Sequence, residues 1–253
     1  MKNLIFIPEE SDFIFDTNKK YKHSGDLGDI IYSLPVMRFY GGGHLFLSMN
    51  SLPSVKYDGS HSGMTEEKFK IIKPLLEIQN YISSVEYWNK NNLEINIDFD
   101  LFRYKSSDYK NLCHKICSIF NVHISQSYRP WLSCMPKKVA KLVINRTHRY
   151  RNENLDYSIL KENFSDAIFI GYEDEHKDFQ ERFGKIDFYP TKNLLEAAEV
   201  IAGSELFIGN QSVCMAIAIG MGHNNIQEYF PQYSDCIFDH PNCEFFYVGK
   251  NKT

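Results

Sequence analysis

The sequence predicts an α/β protein with mainly parallel sheets, arranged as two similar halves. Three observations carry that prediction. Apolar runs of strand length alternate with segments of helical periodicity from one end of the chain to the other. A proline-bounded stretch, residues 128–136 (YRPWLSCMP), interrupts the alternation, which then starts again. With 253 residues, 43% of them hydrophobic and 24% charged, the chain is long enough to bury a full core, as one large unit or two small ones.

The elements follow in order. Residues 4–7 are apolar and predict a first strand. Ile30, Ile31, Leu34 and Met37 have helical spacing, and Pro35 within that helix is expected to kink or shorten it. Gly41, Gly42 and Gly43 end it, and residues 44–49 form a strand. Residues 50–64 are rich in Ser, Gly, Asn and Pro and predict a long loop, more often functional than idle in a compact fold. Residues 66–79 are an amphipathic helix with Phe69, Ile72, Leu75 and Leu76 on one side. Strands at 85–88 and 95–99 and a helix at 109–120 complete the first half.

The second half predicts strands at 140–144, 167–170, 206–208 and 225–229. Helices are expected at 157–163, 175–183, 194–202 and 213–220. The division gives an N-terminal unit of residues 1–130 and a C-terminal unit of 137–253. Two such units facing each other leave a cleft at the carboxyl ends of both sheets.

Composition narrows the function classes. The N-terminal apolar run is too short for a signal peptide, and no run of about 18 apolar residues predicts a membrane span. The six cysteines are scattered. Cys113 and Cys117 lie four apart in a predicted helix, with no second Cys/His pair at zinc spacing. Reduced thiols in a cytoplasmic protein fit that usage. The net charge of −4 does not suggest a general polyanion binder, but Lys137, Lys138, Lys141, Arg146, Arg149 and Arg151 fall close together. They read either as a solvated face or as an anion site, because the three arginines follow a strand.

Two segments concentrate the chemistry. In the first, Gly25-Asp26-Leu27-Gly28-Asp29 precedes the first helix. Glycines there build a tight loop that bares backbone N–H groups at a helix N-terminus. An aspartate in that place is either an N-cap or a general base kept ionised by the helix dipole. In the second, a strand ends at Gly209, Asn210-Gln211-Ser212 forms a polar loop, and a small-residue helix follows. That helix is either a packed core element or a phosphate-binding N-terminus.

Taken together, Gly-Asp-Leu-Gly-Asp and the later Phe-Ile-Gly-Asn-x-Ser-x-x-Met-x-x-Ala-x-x-x-Gly resemble glycosyltransferase family nine, the ADP-heptose lipopolysaccharide heptosyltransferases. The resemblance implies a GT-B-like architecture of two facing Rossmann-like domains. It also implies an inverting sugar transfer from a nucleotide-diphosphate donor to a hydroxyl acceptor, with no metal and no cofactor. By the same resemblance, Asp29 falls on the catalytic aspartate, with Asp26 in reserve. Thr147 and Arg151 fall on donor-phosphate contacts, with Arg146, Arg149 and Ser212 beside them. Glu175 falls near the ribose-holding acid, and Gln211 and Asn210 fall at the donor sugar. Gly25, Gly28 and Gly209 supply the backbone turns.

Departures from the family pattern are visible. Gln211 stands where the family has aspartate, Val213 where it has glycine and Ala216 where it has histidine. They imply a changed donor or, as an alternative function, a nucleotide-sugar- or glycan-binding protein without turnover. The chain is also short for the family and resembles compact members of bacteriophages. That admits hydroxymethylated DNA beside a glycan as acceptor, with Trp131 and Tyr150 near the basic cluster offering an aromatic face. His148 reads as a cleft contact or as an exposed side chain, while Tyr57, His61 and Trp88 fall on the acceptor side. Neither a phosphate-binding Gly-x-x-x-x-Gly-Lys-Ser/Thr nor a dinucleotide Gly-x-Gly-x-x-Gly follows a strand.

Overall fold

Ten strands and six α-helices form two wholly parallel sheets in the computed structural model, which describes residues 18–49, 63–89, 94–230 and 232–246. The first half runs β1 (Lys20–His23), α1 (Leu27–Phe39), β2 (Gly43–Leu47), α2 (Glu66–Glu77), β3 (Ile82–Tyr87), β4 (Ile97–Asp98) and α3 (Leu112–Ile119). Its sheet has the order β3-β2-β1-β4. The second half runs β5 (Leu142–Asn145), β6 (Ala167–Phe169), α4 (Glu173–Phe183), β7 (Asp187–Phe188), α5 (Leu194–Ala202), β8 (Leu206–Gly209), α6 (Val213–Gly220), β9 (Asn225–Glu228) and β10 (Cys243–Phe246). Its sheet has the order β10-β9-β8-β5-β6-β7.

Both sheets reverse direction once. In the first the strands grow outward from β1 to β3, then β4 adds to the other side of β1; in the second the reversal lies between β5 and β8. At such a switch point adjacent loops diverge and leave a crevice at the carboxyl ends of the strands.

Most helices start where side chains satisfy otherwise orphaned N–H groups. Thr65 accepts from the Lys68 amide (3.1 Å), Asn111 from His114 (3.1 Å) and Asn193 from Glu196 (3.0 Å). Buried Leu142–Ile144 and Phe207–Ile208 form the centre of the second sheet, as expected for strands covered on both faces.

One apolar cluster joins the halves, running from Tyr21, Ile30, Ile31 and Leu34 through Trp131 to Ala197, Ile201 and Ile217. The proline-bounded segment therefore anchors in the core through Trp131 and Leu132, while its flanking residues stay at the surface. Trp131 is 2% exposed. Pro35 has no N–H to give the Ile31 carbonyl four residues earlier, and Trp131 Nε1 donates to that carbonyl instead (3.0 Å). This replacement accounts for α1 continuing through Pro35 as a 13-residue helix. On the other side, the Trp131 and Leu132 amides both donate to the Gly220 carbonyl at the end of α6 (2.8 and 2.9 Å). A Cβ at Gly220 would lie 3.0 Å from Trp131 Nε1, so the close crossing needs glycine.

Most predicted elements are present within a few residues. The expected strand at 95–99 is shorter, and the chain enters a 3-10 turn, Phe99–Arg103, directly after it. The helix at 157–163 is a 3-10 helix, Tyr157–Asp166. Strands β1, β7 and β10 add to the expected set. The predicted strand at 4–7 and most of the loop at 50–64, with Tyr57 and His61, lie outside the described residues.

Candidate active site at two switch points

The loop after β1 carries Gly25 and Asp26, the first turn of α1 carries Gly28 and Asp29, and the turn after β4 carries Arg103. They meet at the first sheet's switch point. Arg103 Nη2 donates to Asp29 Oδ2 (2.9 Å), with both side chains partly exposed. Burial pushes the Asp29 carboxyl above the ordinary aspartate value; Arg103 opposes that shift and Asp26 adds to it. Asp26 caps no amide of its own helix. It accepts from Lys68 Nζ of α2 (2.7 Å) and the Gly63 amide (3.3 Å).

The two glycines differ. A Cβ at Gly25 would lie 2.5 Å from His23 Cε1, 2.6 Å from Arg103 Nη2 and 2.7 Å from Asp29 Oδ2, so three side chains close around that position. Gly28 is in the first turn of α1 and not in the preceding loop, and a Cβ there would meet nothing within 4 Å.

The second sheet's switch point gathers the loop after β5 and the loop after β8. Asn210 is fully buried and holds them together. Its Oδ1 accepts from the Thr147 amide (3.0 Å), and its Nδ2 donates to the carbonyls of Thr147 (3.1 Å) and Arg149. Its place is therefore in the loop's foundation, where the sequence suggested a sugar contact. Ser212 caps α6 and donates to Asn145 Oδ1 (2.9 Å). A Cβ at Gly209 would lie 2.7 Å from the Asn145 carbonyl oxygen, which enforces glycine at the strand end. Gln211 is buried. Its Nε2 donates to the Phe230 carbonyl (3.2 Å), and its Oε1 has no partner among the described residues.

The three arginines separate. Arg146 is 2% exposed and turned into the core. Its Nε donates to Glu228 Oε2 (2.8 Å), while Glu228 also accepts from Tyr157 (3.0 Å) and the Asn152 amide. The guanidinium lies 5.4 Å from the Phe183 ring. Arg146 thus carries a buried ion pair and is not presented to the crevice. Arg151 bonds Asp178 and lies 3.2 Å from Glu153. Arg149 is exposed, lies 5.3 Å from the Tyr150 ring and has no ion pair among the described residues. Tyr150, at the loop's tip, has a φ of 52°, rare for a bulky residue.

Glu175 is buried beneath the same edge and accepts from the Tyr172 amide (3.1 Å) in a capping box. Burial raises its pKa. It serves the start of α4, where the sequence suggested a ribose contact. Exposed His148 pairs with Asp174 (3.0 Å). Lys137 is held by Glu196 (2.8 Å), and Trp131 and Arg146 are buried, so neither of these two contributes to the basic aromatic face suggested for DNA. Trp88 packs edge-on against Phe46.

Burial raises the Cys236 thiol pKa, with Asp235 and then Asp29 adding to it. Burial likewise raises Tyr150, with Asp26 among the contributing charges. Arg103, Lys68, Glu228 and Cys236 were not found by sequence reasoning. Arg103 lies four residues beyond a predicted strand, but nothing local marks its partner 74 positions away. Among the described residues, no cluster of three or more His, Cys, Asp or Glu could hold a metal, and no helix is long and apolar enough to cross a membrane.

No family model matches the chain, and no curated protein matches it. Solved structures do. The chain is similar to the Escherichia coli heptosyltransferase WaaC with ADP, with a TM-score of 0.61 at 10% identity over 89% of this chain and 92% of that one. It is similar to the E. coli ADP-heptose lipopolysaccharide heptosyltransferase II, with a TM-score of 0.58 at 10% identity over 92% and 91% of the two chains. A glycosyl transferase family 9 protein from Veillonella parvula gives 0.52 at 12% identity over 92% and 87%. At such identities the likeness establishes a shared fold, two parallel sheets of the heptosyltransferase kind, over nearly the whole chain.

Proposed function

We propose that the chain transfers a sugar from a nucleotide-diphosphate donor to a hydroxyl, with inversion and without a metal. Residues 1–130 form the acceptor-side Rossmann-like domain and 137–253 the donor-side one, facing each other. Asp29 is the observation that carries this reading. It is a half-buried carboxylate in the first turn of a helix, at a switch point, beside the uncovered backbone of Gly28. The fold shared with heptosyltransferases, one of them in a structure with ADP, supports a nucleotide sugar as donor.

The donor diphosphate lies against the loop after β5 and the first turn of α6. Arg149, Thr147 and the amides following Ser212 receive it there. Gln211 offers its unpartnered Oε1 to a donor hydroxyl. The acceptor hydroxyl gives its proton to Asp29 while its oxygen bonds the anomeric carbon. The bond from that carbon to the phosphate oxygen breaks, and the nucleoside diphosphate leaves with the electron pair. Positive charge from Arg149 and the helix N-terminus stabilises it. Closure of the halves excludes water, the competing acceptor. The acceptor hydroxyl belongs to a glycan or to a hydroxymethylated DNA base.

The test has two steps. A panel of nucleotide-diphosphate sugars is screened for thermal stabilisation, since a ligand of the native state raises the melting temperature. The stabilising donor is then incubated with wild type and Asp29→Asn. Loss of transfer with retained donor binding is expected. Tight binding without turnover by wild type would favour a binding protein instead.

A further inference from the structure

Arg103 has no role in the sequence reading, yet it is the one cation in hydrogen-bond contact with Asp29 among the described residues. Its position is built by the fold. Strand β4 pairs with β1 through Tyr21–Ile97 and Lys22–Asp98, and the chain then turns through Phe99–Arg103. This turn is fastened. Asp98 accepts from the Asp100 amide (3.0 Å), and Asp100 accepts from the Ser24 amide (3.0 Å) and Lys22 Nζ (3.0 Å). Phe99 is fully buried, and the guanidinium lies 4.6 Å from the Phe102 ring. The base of the turn is thus tied to the strand that leads into the Asp29 loop.

The charges around Asp29 are few. Asp26, on the same helix, is repulsive and is itself paired with Lys68. His23, at the end of β1, accepts the Gly25 amide on Nδ1 (2.8 Å), and burial pushes its pKa down to about 4, so it is neutral near pH 7. From the second half, burial pushes the Cys236 thiol pKa up, so it brings no charge toward Asp29. Positive charge in contact with Asp29 therefore comes from Arg103.

We propose that Arg103 is a positioning residue for Asp29. It fixes the carboxylate in one orientation at the mouth of the crevice and keeps it ionised for proton acceptance. This inference rests on the reading of Asp29 as the base. The test follows the Asp29 carboxyl carbon by NMR across pH in the 253-residue chain, its resonance assigned by loss in Asp29→Asn. Removing an adjacent guanidinium is expected to raise the titration midpoint in Arg103→Gln by about one unit or more, and Arg103→Lys is expected to restore most of it. In transfer assays with the identified donor, Arg103→Gln should shift the acidic limb of the pH–rate profile upward in parallel and lower kcat more than it changes donor KM. A midpoint unmoved in a folded Arg103→Gln variant overturns the inference. Full transfer by Asp29→Asn would instead overturn the proposed base, and the titration result would stand apart from it.

Discussion

The two switch points are built alike but handle charge differently. At the first, Asp26, Asp29 and Asp100 pair with Lys68, Arg103 and Lys22, and the Asp29–Arg103 pair stays partly exposed at the edge. At the second, three arginines crowd a short loop, and two are committed to carboxylates of the same half: Arg146 to Glu228 and Arg151 to Asp178. Charge counted along a sequence is therefore not charge available to a ligand. What decides is whether a distant carboxylate arrives in the fold.

The comparison breaks first at Asp29. If it is the base, Asp29→Asn should lower the transfer rate by about two to four orders of magnitude while donor affinity stays within a few-fold. The same assay across pH should show the wild-type rate falling as pH drops through a value above that of an ordinary aspartate. The base works deprotonated, and burial holds its folded pKa up. Next is Glu228→Ala, which leaves Arg146 buried without its partner. Denaturant unfolding should show a loss of about 3–5 kcal/mol. A much smaller loss would mean that the pair is not closed in solution.

Gly25→Ala should act mainly on chemistry. The new methyl meets the buried His23 ring and the ends of the Arg103 and Asp29 side chains, so the ion pair is displaced, and kcat should fall by about ten- to a hundred-fold alongside a loss of stability. Gly209→Ala meets backbone at Asn145 and should instead lower the melting temperature. A smaller effect separates the arginines. Arg149→Ala should weaken donor binding by about tenfold, as for loss of one charged hydrogen bond, measured by calorimetry. Arg151→Ala should change donor affinity little and stability by about 1 kcal/mol or less, because its acidic partners are partly exposed.

How much of this was legible in the sequence follows the range of the interactions. Helix α5 was readable at its observed bounds because its apolar face repeats at helical spacing within nine residues. The Asp29 turn was legible because its glycines, carboxylates and helix start lie within five positions. Strand β1 was missed because its inward side carries Tyr21 and His23 between lysines, a weak apolar signal. Trp131 was read as an aromatic beside the basic cluster, but in the fold it is buried and its Nε1 donates to the Ile31 carbonyl 100 positions away. Arg146 and Asn210 looked like ligand contacts because their type and spacing suit one. Their real partners, Glu228 and the Thr147–Arg149 backbone, come from strands apposed only by the sheet order.

Release of nucleoside diphosphate from the sugar nucleotide that most raises the melting temperature, by wild type and by Asp29→Asn, tests the central claim most directly. The account predicts turnover by wild type, loss of nearly all of it in Asp29→Asn, and stabilisation of both proteins by the donor. Equal turnover by the two, or stabilisation by NAD or ATP and by no sugar nucleotide, would contradict it.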